Sequence, residues 1–172
     1  MQSTDIALLS QLEVIDENSK KVKLGDFWRM EKVLLVFLRH FACIACRAHA
    51  VKVWKDREKY QKQGTKIVFI SNGAPHFIKG FRDELNIKDA PVYTDPSLET
   101  FRLCGFKRSA IATLSPKSVV NATKLFVEGH RQGSMAGEVG DYWQLGGVLE
   151  VHPGNRVAFH YVSQCTGDYP KE

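Results

Sequence analysis

An apolar segment that leads directly into two closely spaced cysteines constrains the fold of this chain most. Residues 33–38 read Val-Leu-Leu-Val-Phe-Leu, a continuous apolar run of the kind expected for a strand covered on both faces of its sheet. After four further residues comes the segment 43–48, Cys-Ile-Ala-Cys-Arg-Ala. In a helix that starts here, residues 43, 46, 50, 53 and 54 lie along one face. The order predicts a buried strand that delivers both cysteines to the start of a helix.

Cysteines at the start of a helix have a chemistry of their own. The unpaired N–H groups of the first turn and the positive end of the helix dipole favour a thiolate over a thiol. The spacing of Cys43 and Cys46 also lets the second sulfur reach the first once the first is oxidised. Because Cys43 lies in the open first turn, this geometry favours Cys43 as the attacking sulfur and Cys46 as its resolving partner. The pair is predicted to be a redox centre.

Basic residues near the pair are candidates for stabilising a thiolate. They are Arg39, His40, Arg47 and His49. Arg47 directly follows Cys46 and is the preferred candidate among them. The predicted catalytic set is therefore Cys43, Cys46 and Arg47.

Two other interpretations of the cysteine pair stay open, a structural zinc site and two inert cysteines of the core. A closed zinc site needs four ligands, usually supplied by two separated pairs. The sequence holds no second Cys-x-x-Cys and no suitably spaced pair of histidines, so no metal is predicted. Cys104 follows Phe101 on one helix face and is predicted to lie in the core. Cys165, near the end of the sequence, is a candidate for an exposed thiol.

The composition is that of a globular protein and gives little support to nucleic-acid binding. The net charge of +5 comes from 24 Lys and Arg against 19 Asp and Glu, and these charges are scattered along the chain. The longest apolar run is far shorter than the roughly 20 residues that cross a membrane, and residues 1–5 lack the basic start of a secretory signal. No nucleotide-binding glycine fingerprint occurs, so no bound cofactor is predicted. We expect one domain over residues 1–172 in a reducing compartment, the cytoplasm.

The order of predicted elements indicates an α/β fold. Residues 8–15 and 20–24 are predicted to be short strands or an irregular lead-in. A strand over 32–38, the cysteine helix to about 63, a strand over 66–71, a helix from Pro75 and a strand over 91–94 are predicted next. They are followed by a helix that Asp95 caps and Pro96 begins, a helix over 116–128, a glycine-rich connection over 133–147, and a hairpin of strands 148–152 and 156–162. A parallel beginning and an antiparallel end predict a thioredoxin-like fold, with a central mixed β-sheet flanked by helices and ending in a β-hairpin.

The cysteine segment also carries a resemblance to a known family. Residues 36–47, Val-Phe-Leu-Arg-His-Phe-Ala-Cys-Ile-Ala-Cys-Arg, resemble the signature of the peroxiredoxin-like 2 family, a branch of the AhpC/TSA antioxidant group in the thioredoxin-like superfamily. Residues 91–96, 144–147 and 165–170 add weaker matches in the same order. The resemblance implies a thiol-dependent oxidoreductase that reduces peroxides or disulfides through Cys43 and Cys46. Electrons would come from a thioredoxin or glutathione system, without a bound cofactor.

The chain departs from the usual peroxiredoxin motif, Pro-x-x-x-Thr/Ser-x-x-Cys, in ways that keep other functions open. Alignment of the strand places Arg39 at the proline, Cys43 at the threonine and Cys46 at the peroxide-reacting cysteine, so the resemblance favours Cys46 as the attacking sulfur. The family's distal arginine would fall within residues 145–147, where no arginine occurs. Two alternatives follow. One is a reductase of prostaglandin endoperoxides, known from one branch of the family, and the other is a non-enzymatic redox-sensing regulator.

Overall fold

The computed structural model describes residues 3–170, which form one seven-stranded mixed sheet with helices on both faces. The strands are β1 (Glu13–Ile15), β2 (Lys21–Lys23), β3 (Lys32–Phe37), β4 (Thr65–Ser71), β5 (Val92–Thr94), β6 (Gly147–His152) and β7 (Arg156–Val162). The helices are α1 (Ser3–Leu9), a 3₁₀ helix (Leu24–Trp28), α2 (Ile44–Lys55), α3 (Arg57–Lys62), α4 (Phe77–Glu84), α5 (Glu99–Leu103), α6 (Ala110–Thr113) and α7 (Pro116–Val127). No helix within the described residues is long and apolar enough to cross a membrane.

Strand β3 lies inside the sheet, whose order is β2-β1-β5-β4-β3-β6-β7. It pairs in parallel with β4 and antiparallel with β6. Successive side chains of β3 therefore enter two different core layers. Leu34 and Val36 pack in the layer that holds both cysteines, whereas Leu35 and Phe37 pack in the layer that holds Phe101. Burial on both faces explains why the sequence of β3 is continuously apolar.

The predicted fold class is confirmed by this sheet. Strands β3, β4 and β5 run parallel, and the antiparallel hairpin of β6 and β7 closes the sheet at its other side. The hairpin turns at Pro153, Gly154 and Asn155, as predicted, with both Gly154 and Asn155 at positive φ. Helix α7 begins after Ser115, whose side chain accepts a hydrogen bond from the backbone N–H of Ser118.

Three local predictions were wrong. Residues 8 and 9 of the segment predicted as a strand over 8–15 belong to helix α1, because Ile6 and Leu9 are buried at helical spacing, and a turn follows before β1. Helix α5 does not begin at Pro96. The Asp95 carboxylate instead accepts hydrogen bonds from the backbone N–H groups of Ser97 and Thr100, which stabilises a turn. The predicted cysteine helix is interrupted at Asp56, and the short helix α6 was not predicted.

The close approach between Gly146 and β3 gives a stability prediction. A Cβ atom at Gly146 would lie 1.9 Å from the carbonyl oxygen of Phe37, at the end of the strand that leads to the cysteines. We expect Gly146→Ala to lower the free energy of unfolding by about 3 kcal/mol, because the backbone must shift to relieve the overlap. Denaturant unfolding measures the change.

The matched control is Gly80→Ala. Gly80 lies within α4, and a Cβ atom there meets nothing within 4 Å. Because glycine inside a helix is unfavourable relative to alanine, we expect Gly80→Ala to raise the free energy of unfolding by about 0.5–1 kcal/mol. Equal effects of the two substitutions would contradict the steric explanation.

Candidate active site

Strand β3 and helix α2 bring the two cysteines together at one end of the sheet. The chain leaves β3 with the N–H of Leu38 bonded to the carbonyl of Ile70 at 2.7 Å. After a four-residue loop, Cys43 caps α2, and its Sγ accepts a hydrogen bond from the N–H of Cys46 at 3.4 Å. Both thiols are free and nearly inaccessible, with Cys43 4% and Cys46 0% exposed. The predicted strand, cysteine pair and helix start are therefore found together.

The two thiols differ strongly in acidity. A hydrogen bond with Cys46 is the largest cause that lowers the pKa of Cys43 to about 6; the positive charge of Arg39 and backbone N–H groups of α2 also lower it, against the effect of burial. Burial, the hydrogen bond with Cys43 and the negative charge of that sulfur raise the pKa of Cys46 well above the ordinary thiol value. At neutral pH, Cys43 is therefore the thiolate and Cys46 keeps its proton.

Arg39 is the cation of the site. Its Nη1 lies 3.9 Å from the Sγ of Cys43, and its backbone N–H donates to the Sγ of Cys46 at 3.2 Å. The other guanidinium hydrogen bonds go to uncharged acceptors, the hydroxyl of Thr166 at 2.5 Å and the carbonyl of Tyr142 at 2.5 Å. Arg39 is only 8% exposed, and among the described residues no carboxylate forms an ion pair with it. Because a buried charge needs compensation, the Cys43 thiolate is the natural counter-ion of Arg39.

The structure pairs Arg47, the third residue of the predicted catalytic set, with a carboxylate rather than with either sulfur. Arg47 follows Cys46 in the sequence, but its Nη2 lies 2.7 Å from a carboxylate oxygen of Glu84 on α4. That ion pair holds α2 against α4. It also places the guanidinium of Arg47 beside Glu84 rather than beside a sulfur. The basic residue that contacts both sulfurs is Arg39, one of the four candidates from the sequence.

Neither histidine near the pair carries a positive charge at neutral pH. Burial lowers the pKa of His40 to about 3, and the charge of Arg39 adds to this effect. Burial lowers the pKa of His49 to about 3 as well. The ring of His49 stacks on Tyr169, with ring centroids 3.7 Å apart. These rings shape the site, but they do not stabilise the thiolate electrostatically.

Two residues of the segment after β7, Thr166 and Tyr169, also contact the site. Neither was among the site residues predicted from the sequence. Thr166 accepts the hydrogen bond of Arg39, and the hydroxyl of Tyr169 donates to the Sγ of Cys46 at 3.5 Å. Burial and the neighbouring sulfurs raise the pKa of Tyr169 well above its ordinary value, so this hydroxyl stays protonated. The only sequence signal was the match of residues 165–170 to the family signature, which gave these residues no role.

Asn72 connects the cysteine loop to the glycine-rich segment that precedes β6. Its amide Nδ2 donates to the carbonyl of Arg39, and its Oδ1 accepts from the N–H of Asp141 at 2.7 Å. A Cβ atom at Gly140, which has a φ of +121°, would lie 2.3 Å from that Oδ1. The glycine-rich segment therefore approaches the loop closely enough to fix the backbone of Arg39.

The remaining cysteines lie apart from this chemistry. Burial raises the pKa of Cys104 to about 12, and Cys104 packs in the layer across the sheet from the pair, as predicted. Cys165 is buried, so the prediction of an exposed thiol was wrong. Within residues 3–170, no group of three or more His, Cys, Asp or Glu side chains could hold a metal ion.

Comparison with known proteins places this chain in a family. The sequence model described as AhpC/TSA antioxidant enzyme matches residues 52–164, about two thirds of the chain. This chain belongs to the AhpC/TSA antioxidant enzyme family. The match begins after both cysteines, so it covers strands β4 to β7 and the helices from α3 onward but not the cysteine pair. The site geometry is a separate finding that agrees with it.

Individual relatives of this AhpC/TSA protein agree with the resemblance seen in the sequence. Prostamide/prostaglandin F synthase of Danio rerio is 31% identical over 155 residues, covering 87% of this chain and 74% of the relative. Peroxiredoxin-like 2C of Homo sapiens is 28% identical over 161 residues, covering 89% and 70%. Among solved structures, peroxidoxin BcpB of Mycobacterium tuberculosis has a TM-score of 0.64 and 14% identity, over 91% of this chain and 84% of that chain. That likeness confirms the thioredoxin-like fold.

The position of Arg39 predicts the pH dependence of Cys43 in this AhpC/TSA protein. Because the pKa of Cys43 is lowered to about 6, its alkylation by iodoacetamide should rise with pH around a midpoint of about 6 and level off above it. We expect Arg39→Gln to move that midpoint upward, because a positive charge beside the thiolate is lost. At pH 7 the alkylation rate should fall about threefold to tenfold. Peptide mass spectrometry across a pH series measures the midpoint.

Arg47→Gln is the matched control for this prediction. It removes the same charge from a buried arginine that pairs with Glu84, and we expect the midpoint of Cys43 to stay where it is. A larger upward shift in Arg47→Gln than in Arg39→Gln would restore Arg47 to the role predicted from the sequence.

Proposed function

We propose that this protein is a thiol-dependent peroxidase in which Cys43 attacks the peroxide and Cys46 resolves the product. The observation that carries the proposal is the contact between the Cys43 sulfur and a buried arginine that has no carboxylate partner among the described residues. The positive charge that favours the thiolate also faces the oxygen on which negative charge develops during attack. The Nε of Arg39 has no hydrogen-bond acceptor among the described residues, so it is a further donor for a peroxide oxygen.

The proposed cycle has two chemical steps on the protein. The Cys43 thiolate attacks one peroxide oxygen, an S–O bond forms as the O–O bond breaks, and the leaving alkoxide or hydroxide takes a proton from solvent. Cys43 is then a sulfenic acid, oxidised by two electrons. Cys46 next attacks the Cys43 sulfur, an S–S bond forms as the S–O bond breaks, and the departing hydroxide leaves as water with the proton of Cys46.

Two thiols, from one dithiol protein or from two monothiol molecules, would restore the pair by thiol–disulfide exchange and become a disulfide themselves. We propose a thioredoxin or glutathione system as this reductant, and a reducing compartment such as the cytoplasm as the place of the reaction. The burial of both sulfurs supports a peroxide rather than a protein disulfide as the oxidant, because a small peroxide needs far less access to Cys43 than a folded partner does.

A second candidate substrate is a prostaglandin endoperoxide, which also contains an O–O bond. Two observations favour it, the similarity to prostamide/prostaglandin F synthase and a groove of about 800 Å³ beside the site. Its lining includes Val36, Ala45, Leu125, Phe159 and Tyr169. Tyr169 lines the groove and its hydroxyl contacts the Sγ of Cys46, so the groove lies one side chain away from the sulfurs.

A coupled assay tests the proposal. The reduced protein is mixed with thioredoxin, thioredoxin reductase and NADPH, and then offered hydrogen peroxide, an organic hydroperoxide, a prostaglandin endoperoxide or a protein disulfide in separate reactions. We expect NADPH consumption with a peroxide to exceed that with the disulfide. Preference for the endoperoxide over hydrogen peroxide would favour the second candidate. No turnover with any acceptor, with thioredoxin or with glutathione, would overturn the proposal in favour of a redox-sensing regulator.

A further inference from the structure

The hydroxyl of Thr166 lies at the junction of three parts of the fold. It accepts a hydrogen bond from Nη1 of Arg39 at 2.5 Å and donates one to the carbonyl of Thr113, at the end of α6, at 3.2 Å. The backbone of Thr166 is held by α7, since its N–H donates to Ser118 Oγ at 3.0 Å and its carbonyl accepts from Asn121 Nδ2 at 3.0 Å. Thr166 is therefore a buried, fully bonded residue, although it follows the last strand.

These contacts fix the direction in which the Thr166 hydroxyl can act. Its single proton points to the carbonyl of Thr113, so a lone pair is left to accept from Arg39. The guanidinium of Arg39 then has two fixed points, Thr166 Oγ1 for Nη1 and the Tyr142 carbonyl for Nη2. The same Nη1 lies 3.9 Å from Cys43 Sγ. None of the hydrogen bonds of Thr166 goes to a cysteine. Through its bond with Arg39, however, Thr166 determines where the positive charge nearest to Cys43 lies.

We propose that Thr166 is a positioning residue for the redox centre, whose hydroxyl holds the Arg39 guanidinium against Cys43. This inference rests on the proposed function, and it extends that function to a residue delivered by the segment after β7. It also links the reactivity of Cys43 to the corner between α6 and α7, which holds Thr166 in place. A local displacement of that corner would withdraw the cation from the thiolate without moving either cysteine.

The charges around Cys43 show why one hydrogen bond matters. The titratable and charged groups that face Cys43 are Cys46 on α2, Arg39 in the preceding loop and Tyr169 after β7. Cys46 and Tyr169 keep their protons at neutral pH, and the neighbouring His40 is neutral. Arg39 therefore supplies the positive charge that faces Cys43, and its distance from the sulfur contributes to the thiolate population beside the larger effect of the hydrogen bond with Cys46.

Thr166→Val tests the inference, because valine keeps the shape of threonine and removes the acceptor. The readout is the pH midpoint of Cys43 alkylation by iodoacetamide in the reduced protein, resolved by peptide mass spectrometry. We expect the midpoint to rise above the wild-type value of about 6, with alkylation at pH 7 slowed about threefold or more. Thr166→Ser, which retains the hydroxyl, should restore the wild-type midpoint.

Thr113→Val is the matched control. Thr113 is also a buried threonine of this corner, but its Oγ1 has no hydrogen-bond partner among the described residues, and the contact to Thr166 uses its backbone carbonyl. The control should therefore leave the midpoint unchanged. Adding Thr166→Val to Arg39→Gln should produce no further shift, because Thr166 is inferred to act only through Arg39.

Three outcomes would overturn the inference. They are a wild-type midpoint in a folded Thr166→Val protein, an equal shift in Thr113→Val, and an additive shift in the double variant. Circular dichroism reports folding, and if the valine variant does not fold, Thr166→Ala replaces it with the same expectations and the same contrary results. Because alkylation needs neither peroxide nor reductant, it tests the position of Arg39 even if the coupled assay shows no peroxidase turnover.

Discussion

Cys43→Ser is expected to abolish peroxide-dependent NADPH consumption in the coupled assay. Serine has nearly the same size as cysteine, but its hydroxyl stays protonated at neutral pH, and it cannot be oxidised by a peroxide. The remaining Cys46 is a poor substitute, since burial and its neighbours raise its pKa well above the ordinary value. We expect a loss of about a thousandfold or more, because the protein then lacks its nucleophile.

Cys104→Ala provides the control for loss of a thiol elsewhere. Burial raises the pKa of Cys104 to about 12, and the residue lies in the other core layer, so turnover per folded molecule should be retained. A melting curve of each variant separates lost chemistry from lost structure. Turnover by Cys43→Ser close to that of wild type would contradict the assignment and transfer the attacking role to Cys46.

The backbone around the redox centre could be predicted because its signals are local. A continuous apolar run, two cysteines at helix spacing and a glycine stop after residue 63 lie within one stretch of sequence. The hairpin could be predicted for the same reason, since Pro153, Gly154 and Asn155 separate two strand-like segments. Propensity and periodicity indicate such units without knowledge of distant contacts.

The side chains that tune the centre could not be predicted in the same way. Arg47 is adjacent to Cys46 in sequence, but Glu84 on a different helix determines where its guanidinium lies. Arg39 was one of four candidates, and its selection depends on the acceptors at Tyr142 and Thr166. Those contacts join residues more than a hundred positions apart, so local sequence signals do not encode them.

The segment after β7 shows how a polar sequence can hide a buried element. Cys165 lies near the end of the sequence beside small and polar residues, and it was a candidate for an exposed thiol for that reason. In the fold, the carboxylate of Asp168 accepts from the N–H of Gln164 at 2.7 Å and from the hydroxyl of Tyr161 at 2.9 Å. These bonds return the segment to the core, where Tyr169 reaches Cys46. These hydrogen bonds and the packing of Tyr169 against the core, rather than an apolar repeat in the sequence, hold the segment there.

Cys46→Ser is expected to react with peroxide once and then stop. The Cys43 thiolate remains, because the serine hydroxyl can still donate a hydrogen bond to it and the Arg39 contact is unchanged. Without a second thiol the S–O bond on Cys43 cannot be exchanged for a disulfide, so the sulfenic acid should accumulate. Multiple turnover should fall about a hundredfold or more, while the first oxidation keeps nearly its wild-type rate.

Mass spectrometry after one equivalent of peroxide distinguishes the two cysteines. In Cys46→Ser, dimedone, which traps sulfenic acids, should label the peptide at Cys43. In the reciprocal Cys43→Ser protein, little label should appear at Cys46, because that thiol keeps its proton. Prompt labelling of Cys46 in Cys43→Ser, with none at Cys43 in Cys46→Ser, would reverse the order and agree with the alignment to typical peroxiredoxins. The acidity of the two sulfurs argues against that order, since the same hydrogen bond lowers the pKa of Cys43 and raises that of Cys46.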